Sequence, residues 1–95
     1  MSVGILTFTF YLPTCQSLKD KRRQIKPIIS RLHKEFNVSV IEYDLHDVWQ
    51  TCQLMVACAA REGVHANQIL SQVLQFYESH WPDLPLTNET IEIIQ

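Results

Sequence analysis

The chain has 95 residues, which predicts one compact domain and leaves no room for a second. Apolar residues at 46% and charged residues at 19% are those of an ordinary globular protein and exclude a disordered, collagen-like or disulfide-built chain. Eight Lys and Arg against ten Asp and Glu leave a net charge of −2, so the chain as a whole is no polycation and a nucleic-acid contact would have to be a local patch.

From Val3 to Pro13 the residues alternate, with Leu6, Phe8, Phe10 and Leu12 on one side and Thr7, Thr9 and Tyr11 on the other. This period of two predicts a strand with one buried face and one wetter face, ended by Pro13. The same stretch has no basic leader and no small-residue cleavage site, so it reads as neither a signal peptide nor a membrane span. Thr14, Cys15 and Gln16 form a short connection, and Ser17 is placed to cap a helix.

Leu18, Ile25, Ile28, Ile29, Leu32 and Phe36 fall on one stripe at about 100° per residue, which predicts an amphipathic helix from Leu18 to Phe36. Pro27 lies inside it and either kinks the helix or marks a start delayed past the basic run. Asn37 follows as a terminator. Val38 to Leu45 reads as a second strand whose two sides are hard to rank. His46 to Gln50 is a loop wider than a two-residue turn, because it has no glycine.

Thr51 to Ala60 is a third strand, with Cys52, Leu54, Val56 and Cys58 facing one way and Thr51, Gln53 and Met55 the other. Arg61, Glu62 and Gly63 break the pattern, with Gly63 read as a backbone pivot. Ala66 to Ser79 carries Ile69, Leu70, Val73, Phe76 and Tyr77 at helical spacing. Two prolines, Pro82 and Pro85, end that helix, and Leu86 to Ile94 is a last strand. The fold class is therefore α+β, a single domain over residues 1–95 with the order β-α-β-β-α-β. This is the ferredoxin-like arrangement: a four-stranded antiparallel sheet with two helices on one face.

The densest charge is Lys19, Lys21, Arg22 and Arg23, followed by Lys26. Cations at a helix N-terminus oppose the macrodipole at about 0.3–1 kcal/mol each, so their presence suggests a use. Phosphate or RNA-backbone contact by Lys19, Lys21, Arg22, Arg23 and Lys26 is one reading; a solvated face with ion pairs, to Asp20 among others, is the plainer one. In the loop, Trp49 either stacks on a base, anchors an interface or caps the sheet end. Adjacent His46 and Asp47 point apart in extended backbone and make a poor proton-transfer pair.

Cys15, Cys52 and Cys58 are odd in number and lack Cys-x-x-Cys spacing, which predicts reduced thiols and a cytoplasmic protein. Cys52 and Cys58 read as buried and structural, leaving Cys15 as the one candidate for a reactive thiol. The four histidines show no ligand spacing with cysteine, so no metal is expected, and two glycines in all leave no phosphate loop and no cofactor.

The run Ser17-Leu18-Lys19-Asp20-Lys21-Arg22-Arg23, with Phe36-Asn37-Val38-Ser39-Val40 and Asp47-Val48-Trp49-Gln50, resembles the YlxP-like family of small bacterial proteins of unknown function. The similarity runs in register through the Val3-Gly4 strand and Pro13. It implies a ferredoxin-like fold, and the position of the family's genes beside translation initiation and ribosome maturation factors implies a place near the ribosome. Enzymes of the same fold lose their central residues here. The acylphosphatases place a Gly-rich loop and an Arg where this chain has Pro13-Thr14-Cys15-Gln16, and metal-dependent nucleases place an Asp where it has Tyr11-Leu12-Pro13.

The function expected is thus a non-enzymatic module bound to RNA or the ribosome. The alternatives are a homodimer or other protein-interaction module using the open sheet face around Tyr11 and Met55, with Ile41 or Tyr43, and more remotely a small phosphate-directed hydrolase.

Overall fold

A computed structural model describes residues 1–95. Strand β1 (Ser2–Tyr11) leads to helix α1 (Leu18–Glu35), the hairpin β2 (Ser39–Asp44) and β3 (Thr51–Ala60), helix α2 (Gly63–His80) and strand β4 (Leu86–Ile94). The sheet order is β2-β3-β1-β4, and all three pairings are antiparallel. This is the expected ferredoxin-like topology, with the central strand β1 flanked by β3 and β4.

Alternation decides the faces. Leu6, Phe8 and Phe10 of β1 and Cys52, Leu54, Val56 and Cys58 of β3 are buried in one core with Ile25, Ile28 and Leu32 of α1 and Leu70, Val73 and Tyr77 of α2. The register pairs Leu6 with Val56 and Phe8 with Leu54, so the large side chains of neighbouring strands lie abreast. In β2 the structure ranks the two sides: Val40 is buried, whereas Ile41 is 56% exposed on the open face. That face also holds Thr7, Thr9, Tyr11, Gln53 and Met55, and Gln53 Nε2 donates to Thr9 Oγ1 across the strands at 3.3 Å.

Helix α1 begins before the basic run and continues through Pro27, so the proline does not mark its start. Ser17 caps it, its Oγ accepting from the Asp20 amide at 3.0 Å. Asp20 Oδ2 in turn accepts from the Gln16 amide and Gln24 Nε2, so the only acid in the first turn serves the cap and pairs with no lysine or arginine.

The expected pivot at Gly63 is not one. Gly63 is the first residue of α2, three residues earlier than the apolar spacing indicates, and no glycine has a positive φ. The chain's special backbone position is Leu45, at φ 62°, inside the loop that joins β2 to β3. Gly4 is required for another reason: a Cβ there would lie 2.8 Å from Leu70 Cδ1 and 3.1 Å from Ala66 Cβ, where α2 crosses β1. Gly4→Val is expected to cost about 1–3 kcal/mol by overpacking this crossing, read as a lower urea midpoint; an unchanged midpoint would show that α2 rides clear of β1.

Candidate functional site

Seven of the eight Lys and Arg lie within α1, together with only two of the ten Asp and Glu. The helix therefore carries a formal charge of +5 and the rest of the chain −7, an asymmetry that the net −2 conceals. Lys19, Arg22, Arg23 and Lys26 are exposed. The two ion pairs of the molecule are Lys21–Glu42 and Arg31–Glu35, so these four cations have no anionic partner.

Lys21 does not belong with them. It is 2% exposed, and its ammonium donates to Leu45 O and Val48 O, both at 2.7 Å, with Glu42 Oε2 at 2.8 Å. The contact to Glu42 is ionic and off the hydrogen-bonding direction, which leaves that buried oxygen with no hydrogen bond of its own. Lys21 is thus withdrawn from the phosphate-contacting set expected from sequence. The signal was present in the spacing: Lys21, Ile25, Ile28 and Leu32 stand at i, i+4, i+7 and i+11, on the stripe that enters the core.

What Lys21 does is hold the loop from 45 to 50 against the N-terminal half of α1. Leu45 needs that support, since positive φ is uncommon for a branched side chain. The loop is tied also to the connection after β1, where the Leu12 amide donates to Gln50 O at 2.8 Å. Trp49 sits on this loop and is 44% exposed, so the structure brings the basic run and this tryptophan to the same end of the molecule. Tyr11 and Met55 are not part of that constellation; they lie on the open face of the sheet, opposite the helices.

His46 does not pair with Asp47. Its Nε2 meets Glu42 O at 3.1 Å, while His33 Nε2 accepts from the Val40 amide at 3.1 Å. Both rings thereby occupy backbone groups of β2, the strand at one edge of the sheet. No three His, Cys, Asp or Glu side chains cluster as a metal site would require.

Cys15, the thiol singled out as reactive, is 1% exposed and donates to Ser17 O, so access rather than sequence position rules it out. Cys52 is fully buried, and its thiol is pushed up to about 12 by burial and by the Glu42 carboxylate, partly offset by Lys21. Burial likewise pushes Cys58 above the usual thiol range. Because the folded Cys52 holds its proton above the unfolded value near 9, folding stability is expected to fall as pH rises from about 9 to 12. Chemical denaturation across that range tests this; a slope unaltered in Cys52→Ala would show that other groups carry it.

No helix is long and apolar enough to cross a membrane. A family model described as "Protein of unknown function (DUF503)" matches residues 3–91. The chain is 35% identical over 71 residues to the "Uncharacterized protein YlxP" of Bacillus subtilis (strain 168), covering 75% of this chain and 76% of that one. Among solved structures, a de novo designed protein with a ferredoxin fold superposes with a TM-score of 0.51 at 17% identity, over 99% of this chain and 83% of the design. That last likeness is one of fold alone.

Proposed function

The chain belongs to the DUF503 family of proteins of unknown function, and on that premise we propose that it is a non-enzymatic binding module that meets RNA or a ribosomal surface through the outer face of α1. The observation that carries this reading is the charge division, +5 on one helix and −7 elsewhere, with Lys19, Arg22, Arg23 and Lys26 exposed and unpaired. Each cation neutralises one phosphate and releases a counterion, and Trp49 on the adjoining loop offers a ring to a base or an apolar anchor. The acidic remainder orients the approach, since a phosphate surface repels it.

The test is co-sedimentation with ribosomal subunits of the host at low and then moderate salt. Salt-reversible sedimentation, lost in Arg22→Ala/Arg23→Ala/Lys26→Ala with Lys21 left intact, is expected. Binding that ignores salt or survives the triple substitution overturns the reading, because about three contacts should change the log–log salt slope by roughly 2 units.

A second reading rests on a separate observation. The open sheet face exposes Ile41 at 56%, Tyr43 at 50% and Tyr11 at 39%, and the central strands β1 and β3 contain no charged residue. The acids of this face, Glu92 beside Ile5 and Asp44 beside Gln53, lie only on the edge strands, so two faces can stack centre to centre in a homodimer that covers Met55. A concentration-independent monomer mass by light scattering over the micromolar range would exclude it.

A further inference from the structure

Beside the phosphate-facing side of α1 runs a shallow, open groove formed by one face of that helix, with Arg22, Ile25, Lys26, Ile29, Ser30 and His33 along it. We infer that this groove is the seat of a second, different partner: an acidic amphipathic helix of another protein, lying along α1 for about three turns. The proposal goes beyond the phosphate-contacting role and does not depend on it.

Four observations select this occupant. The lining residues follow one another at i, i+3, i+4, i+7, i+8 and i+11, a straight row along α1 that a second helix matches by laying its own apolar row beside it. The floor is apolar: Ile25 is 5% exposed, and Ile29 is half-buried against the core. A phosphate gains nothing from that floor, whereas leucine-sized side chains do. The rim is cationic, and Arg22 and Lys26 stand one turn apart with neither in an ion pair, which calls for acidic residues flanking the partner's apolar row.

The fourth observation excludes a strand. An extended peptide added at the adjacent β2 edge would need that edge's free backbone groups, but the Val40 amide already donates to His33 and Glu42 O is taken by His46. A second copy of this chain is also a poor fit. Its α1 repeats the same positive charge, and its α2 carries only Glu78 among acidic residues. The partner is therefore a different chain.

The probe is a fluorescein-labelled 14-residue peptide with leucines at i, i+3, i+4, i+7 and i+11 and glutamates at most other positions, titrated with the full-length protein. Its controls are a scrambled peptide of the same composition and an alternating Glu-Val peptide of the same length. The helical peptide should bind at micromolar concentrations and acquire helical circular dichroism. Its affinity should fall roughly threefold or more in Ile29→Gln, and similarly in Arg22→Ala/Lys26→Ala. Lys19→Ala/Arg23→Ala should leave it within about twofold, since those side chains lie off the groove. Ile29→Gln keeps the charge and should leave ribosome sedimentation intact, so the two proposals fail separately. Absence of binding, equal binding of either control peptide, or indifference to Ile29→Gln would overturn the inference; a folded circular dichroism spectrum and cooperative melt are required of each variant.

Discussion

Lys21→Met is expected to destabilise the protein by about 3–5 kcal/mol, the range seen when one member of a buried ion pair is removed. The methionine fills a similar volume, so the loss is electrostatic and polar rather than a cavity. It strands Glu42 Oε2, which already has no hydrogen bond, and it leaves Leu45 O and Val48 O without the donor 2.7 Å away. For a chain of this size the thermal midpoint should drop by at least about 10 °C. The double substitution Lys21→Met/Glu42→Gln should recover part of the loss, because the lone carboxylate is gone, but not all, because the two carbonyls remain unmet. Hydrogen exchange should place the damage first at the Val48 amide, which closes the loop turn onto Leu45 O at 3.0 Å. A melting temperature within about 2 °C of the parent would mean that the ammonium contributes little beyond what water would supply.

The same substitution separates two roles for one basic run. Arg22, Arg23 and Lys26 can be exchanged for alanine with little effect on folding, since exposed unpaired cations contribute at most tenths of a kcal/mol and repel one another at the helix N-terminal half. Any binding lost with them is therefore lost at the surface. Binding lost with Lys21 would follow instead from release of the loop that carries Trp49.

The second large effect is expected at Tyr77. Its ring lies 5.1 Å from Phe8 and 5.0 Å from Phe10, centroid to centroid, and its hydroxyl donates to Leu84 O at 2.7 Å. Burial first, then the nearby Cys52 and Glu78, push its pKa well above the ordinary tyrosine value, so the donor keeps its proton throughout the accessible range. Tyr77→Ala should cost about 3–5 kcal/mol, through lost transfer energy and the cavity left among the phenylalanines. Tyr77→Phe should cost about 1–2 kcal/mol, the part owed to the hydrogen bond. The difference between the two assigns the rest to packing. Urea unfolding of both variants measures it, and equal costs would show that the hydroxyl, not the ring, holds the Trp81–Leu86 turn onto α2.

Periodicity was enough for the element order. The alternation of Leu6, Phe8 and Phe10 and of Cys52, Leu54 and Val56 marks two central strands whose buried sides the fold keeps, and β3 and β4 end at the residues that alternation and proline indicate. Local patterns suffice there because hydrophobic burial is repeated along each strand, so many residues report the same face. The start of α2 was less legible, since Gly63, Val64 and His65 present no apolar row of their own and are helical because the turns after them are.

The candidate site divides along the same line. That a helix beginning near Ser17 carries unusual positive charge can be read from residues 17 to 26 alone, because capping and charge are local properties. Whether each cation faces water cannot. Lys21 bonds to carbonyls 24 and 27 residues away, the loop of Trp49 is held at the basic end by those bonds and by the Leu12 amide on Gln50 O, and Cys15 is closed off by packing. The contact of His33 on α1 with the Val40 amide of β2 likewise exists only once helix and sheet are set side by side. Contacts between residues far apart in the chain depend on where the whole core places them, and no single segment's period or charge encodes that position.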